Sequence, residues 1–223
     1  LWIACSILIL AAACAPSSRE PAPAASATAP PASDAPVVLF LGTSLTAGLG
    51  LDPAQAYPAR IAERIHAAGL PHRVVNAGVS GETAAAARRR LDWLLQQRVD
   101  VLVIETGAND ALRGQDPDAT RADVQAIVDR AREARPAPRL LLLGMQAPPN
   151  LGRPYAERFR AIYPDLARKN DIALVPFLLD GVAGVPSLNQ PDGVHPTAAG
   201  QERLAENVWP ALRGLLGAGG KGP

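Results

Sequence analysis

The stretch Val37-Val38-Leu39-Phe40-Leu41-Gly42-Thr43-Ser44-Leu45 (VVLFLGTSL) decides the fold. Five consecutive large apolar residues leave no polar face, so a strand built from them is covered on both sides, as inside a parallel sheet. The run then stops at small and polar residues, the usual sign that a strand is giving way to a turn. VLVIE (101–105) and LLLLG (140–144) repeat the pattern, and RVVN (73–76) and IALVP (172–176) are weaker versions of it. Between these runs, apolar residues recur at helical spacing. One set is Tyr57, Ile61, Ile65 and Ala68; a second is Ala84, Ala87, Leu91 and Leu94; a third is Val124, Ile127, Ala131 and Ala134. After a cap at Thr197, Leu204, Val208 and Leu212 form a last set, and a less regular helix is expected from Tyr155 to Lys169. Strand and helix alternate five times, which predicts one α/β domain with three layers, doubly wound around a mostly parallel five-stranded sheet.

Composition removes several function classes. The 223 residues carry 22 Lys and Arg against 21 Asp and Glu, a net charge of +1 that gives no basic footprint for nucleic acid. Cys5 and Cys14 both precede the first strand, so the body holds no disulfide scaffold, cysteine zinc site or thiol nucleophile. Three histidines, His66, His72 and His195, leave little material for a metal centre. No G-x-G-x-x-G follows the first strand and no Walker lysine is present, so no cofactor is expected.

Ahead of the body, LWIACSILILAAAC (1–14) is apolar and ends in small residues. It is shorter than the roughly 20 apolar residues needed to span a bilayer and reads as an export signal. Cys14, after Ala11-Ala12-Ala13, resembles the lipidated cysteine of bacterial lipoprotein signals, although Ala11 stands where that motif usually has Leu. An ordinary signal peptide or a retained signal anchor is the alternative. Residues 15–36 contain eight Ala, six Pro and no large apolar residue, a composition that cannot bury surface and suits an extended tether. The expected organisation is a signal segment (1–14), a disordered tether (15–36), one α/β domain (37–216) and a flexible tail (217–223). The domain would then lie on the periplasmic side of a bacterial membrane, held there only by lipid on Cys14. Ala15 after Cys14 points to the outer membrane in a Gram-negative cell; a soluble periplasmic or secreted protein is the other outcome.

Sites in parallel α/β sheets form at the carboxyl ends of the strands. Four polar, Gly-containing blocks lie at such places: Gly42-Thr43-Ser44-Leu45, Asn76-Ala77-Gly78-Val79-Ser80-Gly81-Glu82-Thr83, Gly107-Ala108-Asn109-Asp110, and Asp192-Gly193-Val194-His195-Pro196 before the last helix. Together they supply a hydroxyl, backbone donors, a carboxamide, a carboxylate and an imidazole, which is what acyl transfer to water requires. A serine hydroxyl needs a neighbouring imidazole to take its proton, and that imidazole needs an acceptor to hold its tautomer. Ser44 is the serine that directly follows an apolar strand, and His195 is the histidine in a Gly/Pro-flanked loop. His66 falls inside a helix and His72 opens a strand, so both read as structural or surface residues. Asp192, three residues before His195, can turn its carboxylate against the ring. Arg88-Arg89-Arg90 spreads over about 200° of a helix and reads as a solvated face rather than an anion site. Trp93 and Trp209 read as packing or surface residues.

These blocks, in this order, resemble the SGNH hydrolases, also called the GDSL esterase/lipase family. The likeness runs from about Val37 to Leu216. The stretches VVNAGVSGET, RLDWLL, GANDALRG, LLLGMQAPPNLG, LVPFLLDGVAG and DGVHPTAAGQERLAENVWP resemble its branch of acyl-CoA thioesterase I/lysophospholipase L1 and arylesterases. The resemblance implies a flavodoxin-like sheet and a catalytic triad of Ser44, His195 and Asp192. It also implies an oxyanion hole from the Ser44 and Gly81 N–H groups and the Asn109 side chain, with Gly78 serving the turn. The family usually reads G-D-S-L, and Thr43 stands here in place of the Asp, removing an acceptor from the nucleophile turn.

The implied activity is hydrolysis of carboxylic esters, or thioesters, through an acyl-enzyme. Acyl esters and lysophospholipids are the expected substrates, and a monomer or weak oligomer is the expected state. Leu112, Met145, Pro148, Pro149, Leu151, Val185 and Leu188 are candidates to line an acyl groove. Two other readings stay open. A carbohydrate O-acetyl esterase would want an aromatic platform, which 4% aromatic content does not favour. A lipid-binding surface lipoprotein without catalysis rests on Thr43 alone. If His195 is the base, kcat/KM falls as the imidazole protonates, near the ordinary histidine value of about 6.5.

Overall fold

The computed structural model describes residues 34–217. The signal segment, Cys14, nearly all of the tether and residues 218–223 lie outside the described residues. Five strands form the sheet: β1 (Val37–Gly42), β2 (Arg73–Gly78), β3 (Val101–Glu105), β4 (Arg139–Leu143) and β5 (Ala173–Val175). Seven helices accompany them: α1 (Ser44–Ala47), α2 (Tyr57–Ala67), α3 (Ala84–Leu94), α4 (Ala108–Leu112), α5 (Pro117–Glu133), α6 (Arg153–Asn170) and α7 (Ala198–Gly217). Three single turns of 3-10 helix add Pro53–Gln55, Pro149–Leu151 and Pro186–Leu188.

The strand order is β2-β1-β3-β4-β5, and every neighbouring pair is parallel. Phe40 lies opposite both Asn76 of β2 and Val103 of β3, which puts β1 in the interior with its five apolar residues fully buried. Covering each such side chain contributes about 1.5–3 kcal/mol. The two weaker runs in the sequence are the sheet edges. β2 has only exposed and half-buried residues, and β5 is only three residues long. An edge strand has one partner and one exposed flank, so it does not demand an unbroken apolar run.

The helical sets fall where the periodicity places them. Ile61, Ile65, Ala87, Leu91, Leu94, Val124, Ile127, Ala131, Leu204, Val208 and Leu212 are all in the core. Ala68 and Ala134 are not: each is the C-cap of its helix, where the chain is already leaving the buried face. Thr197 accepts the Gly200 N–H on Oγ1 at 3.3 Å and so caps α7. Among the described residues no helix is long and apolar enough to cross a membrane.

The winding reverses after β2. The chain returns past β1 to lay down β3, so the carboxyl ends of β1 and β3 face one crevice that no connection covers. The short helices α1 and α4, too brief to show periodicity, begin at that crevice.

Candidate active site

β1 ends at Gly42 and delivers Ser44 as the first residue of α1. Its N–H therefore has no intrahelical acceptor. Ser44 is 8% exposed, and its Oγ lies 2.9 Å from Nε2 of His195. His195 comes from the opposite end of the chain, on the turn before α7. That turn is tied down by Gln190, whose N–H donates to the His195 carbonyl at 2.7 Å and whose side-chain amide donates to Leu49 O at 2.8 Å and Pro196 O at 3.0 Å.

Asp192 completes the chain of contacts. Its Oδ2 is 2.6 Å from His195 Nδ1, and its Oδ1 accepts the N–H groups of Val194 at 2.9 Å and His195 at 3.0 Å. The His195 backbone N–H, its ring and the Val194 N–H hold this carboxyl well below the usual carboxylate range. An ionised carboxylate only accepts, so Nδ1 carries the ring proton and Nε2 is left to accept from Ser44. His66 is exposed on α2 and His72 sits at the amino-terminal end of β2, away from this edge.

Gly81 and Asn109 line the same cavity as Ser44 and His195. Gly81 has φ +78, a backbone setting open to glycine and strained for other residues. One N–H of the Asn109 amide donates to the Glu82 carbonyl at 3.0 Å, which fixes the amide plane and leaves its second N–H. Gly78 does not serve the turn. It ends β2, its N–H donates to Asn76 Oδ1 at 2.9 Å, and a Cβ there would come within 2.3 Å of the Ala47 backbone nitrogen. Close approach of α1 to β2 is what requires glycine at that position.

Two charged residues behind the site were not legible as site residues. Arg90 is not part of a solvated face. It donates from Nε and Nη2 to the two oxygens of Glu82, both at 2.6 Å, and from Nη2 to the carbonyls of Ala77 at 2.7 Å and Gly42 at 3.4 Å. Arg88 and Arg89 are exposed, and Arg88 pairs with Asp123 at 3.2 Å. The second residue is Glu105, fully buried at the end of β3. It accepts the Thr43 N–H at 2.7 Å, Thr43 Oγ1 at 3.0 Å and Thr46 Oγ1 at 2.9 Å. Burial pushes its carboxyl up, while the Thr43 and Thr46 donors pull in the other direction. Thr43 is thus a donor to a carboxylate supplied by the sheet. The one available signal was a single acid closing an otherwise apolar buried strand.

The crevice opens into a cavity of about 570 Å³. Leu112, Met145, Pro148 and Pro149 line it, together with Leu49, Phe177, Leu179 and Val194, which the sequence did not single out. Leu151, Val185 and Leu188 are not among its lining residues. Leu151 is in the Pro149–Leu151 turn, Val185 lines a separate shallow crevice beside Pro186, and Leu188 packs against the core while its carbonyl accepts the Thr197 N–H at 2.9 Å. The 176–190 segment folds back on itself, so its apolar residues divide between the cavity and the core. Among the described residues no cluster of three or more His, Cys, Asp or Glu is placed to hold a metal ion.

The model of the GDSL-like lipase/acylhydrolase family matches residues 40–203. The chain belongs to that family. It is 43% identical over 183 residues to Esterase TesA of Pseudomonas aeruginosa, covering 82% of this chain and 90% of the relative. It is 37% identical over 186 residues to thioesterase 1/protease 1/lysophospholipase L1 of Escherichia coli K12, covering 83% and 87%. A crystal structure of TesA superposes with a TM-score of 0.77 at 43% identity, over 80% of this chain and 99% of that one. Members of the GDSL-like family are ester hydrolases of doubly wound α/β fold, and this chain has that fold with all five strands parallel.

Proposed function

We propose that the chain is a serine esterase in which Ser44 is the nucleophile, His195 the acid–base and Asp192 its orienting partner. One observation carries the reading: an unbroken hydrogen-bonded series, 2.9 Å from Ser44 Oγ to Nε2 and 2.6 Å from Nδ1 to Asp192, opening on an apolar cavity. In acylation, His195 Nε2 takes the Ser44 proton as Oγ bonds to the ester carbon. The resulting oxyanion is received by the N–H groups of Ser44 and Gly81 and by the second N–H of Asn109, each such donor being worth about 3–4 kcal/mol. Collapse breaks the bond to the leaving alkoxide, which takes the proton from Nε2. Water then attacks the acyl-Ser44, gives its proton to Nε2, and the second collapse releases the acid and returns that proton to Oγ.

The substrate class proposed is an acyl ester with a medium-length apolar chain, including lysophospholipids and aryl esters. The apolar lining of the cavity supports it, and so do the names of the relatives, an esterase and a thioesterase/lysophospholipase. We also propose export with lipid on Cys14, on the strength of residues 1–36; loss of fatty-acid labelling in Cys14→Ser tests it. For the activity, Ser44→Ala is assayed with p-nitrophenyl acyl esters, alongside a fluorophosphonate probe on the unaltered protein. Loss of turnover by about 10⁴-fold or more, with Ser44 as the labelled residue, is expected. Undiminished hydrolysis by the variant would overturn the assignment.

A further inference from the structure

We infer that Arg90 is a positioning residue for the reaction, acting through Glu82 on the amide of Asn109. The inference rests on the oxyanion role proposed for Asn109. Arg90 lies on the second turn of α3 and touches neither cavity nor nucleophile. Its guanidinium instead ties together two of the four blocks that build the site, Gly42–Leu45 and Asn76–Thr83. It grips both carboxylate oxygens of Glu82 in the oxyanion loop, the Ala77 carbonyl at the end of β2, and the Gly42 carbonyl two residues before Ser44. Glu82 in turn carries the contact to a third block, Gly107–Asp110, because its backbone carbonyl receives the Asn109 amide at 3.0 Å.

The energetics favour a geometric role. The Glu82 side chain is 5% exposed and that of Arg90 21% exposed, so both charges give up most of their hydration. A buried ion pair gains little net stability over apolar residues of the same volume. A planar fork with five donors can hold a carboxylate and two carbonyls at fixed angles, which no apolar side chain and no lysine can do. What the pair supplies is a single orientation for the peptide that holds Asn109. A misplacement of about 1 Å at such a group costs on the order of 10²-fold in rate.

The test is a double-mutant cycle on the full domain with a p-nitrophenyl ester, reading kcat and KM separately. Arg90→Lys keeps the charge and loses the fork, and Glu82→Gln keeps a carbonyl oxygen for Arg90 while removing its charge. Asn109→Ala alone should lower kcat by about 10²-fold, as loss of an oxyanion donor does. Arg90→Lys should lower kcat by about 10-fold or more with KM changed by less than about 3-fold. In the Asn109→Ala background the same substitution should have an effect smaller than about 3-fold, because the group it positions is gone. Far-UV circular dichroism checks that each variant folds, and if Arg90→Lys does not, Glu82→Gln completes the same cycle. An Asn109→Ala variant of full activity would overturn the oxyanion reading itself. A normal Asn109 effect with Arg90→Lys and Glu82→Gln both at full kcat, or with losses that multiply undiminished in the Asn109→Ala background, would overturn the role of Arg90.

Discussion

Glu105 accepts the backbone N–H of Thr43 at 2.7 Å from a position fully buried beneath the turn that carries Ser44. The residue before Ser44 is thereby fastened to the end of β3, and the Thr43 and Thr46 hydroxyls add two more donors to the same carboxylate. Tyr57 donates in turn to Thr46 Oγ1 at 2.8 Å, since that hydroxyl's own proton is committed to Glu105.

This arrangement makes stability depend on pH in a definite direction. Burial raises the Glu105 carboxyl in the folded protein above its ordinary value of 4.5. Between those two values the folded state binds more proton than the unfolded state, so stability falls as pH rises through the window and is level above it. Glu105→Gln cannot ionise and should flatten that part of a Tm-against-pH curve. An identical slope in the variant would show that Glu105 does not titrate there.

Thr43→Val removes a buried donor while keeping the shape of the side chain. The cost should be about 1–3 kcal/mol of stability by chemical denaturation, because the carboxylate loses a partner it cannot replace with water. Thr43→Asp would set a second carboxylate against Glu105, and the two could remain only if they share a proton. Its Tm should fall more steeply with rising pH than that of the unaltered protein; parallel curves would exclude the like-charge contact.

Asp192 behaves in the opposite sense. Its folded carboxyl is held well below the ordinary 3.8, so what it adds to stability is present above that value and is lost as pH falls through the folded one. It therefore stays ionised through the neutral range and should add no protonation of its own to the acid limb of kcat/KM. Asp192→Asn leaves an amide that no longer demands the Nδ1 proton, and kcat should drop by about 10⁴-fold. A variant with near-normal kcat would remove Asp192 from the triad.

Chain-length preference should follow the cavity wall. Met145 is buried at its lining and Leu112 is half exposed at it. Met145→Trp, by filling volume, should shift the best p-nitrophenyl ester toward shorter acyl chains and raise KM for long ones, while acetate hydrolysis changes by less than about 3-fold; each methylene excluded is worth about 0.8 kcal/mol. Leu188→Ala, outside the cavity, should leave the profile unchanged.

The sequence by itself determined the layer order and the three interior strands, and it singled out Ser44, Asp192 and His195, with Asn109 added by the family resemblance, as candidates. Those signals are local: an apolar run buried on both faces, a helical period, and small polar residues where a strand stops. Tertiary structure alone decided how His195 meets Ser44 across 151 positions of chain. It also decided which apolar loop residues face the cavity, and that Arg90 and Glu105 turn inward. A charged residue on a helix or at a strand end has the same local pattern whether water or a buried partner receives it. Only the path of the rest of the chain places Glu82 beside Arg90 and Thr43 over Glu105, because those partners come from elements 8 and 62 residues away.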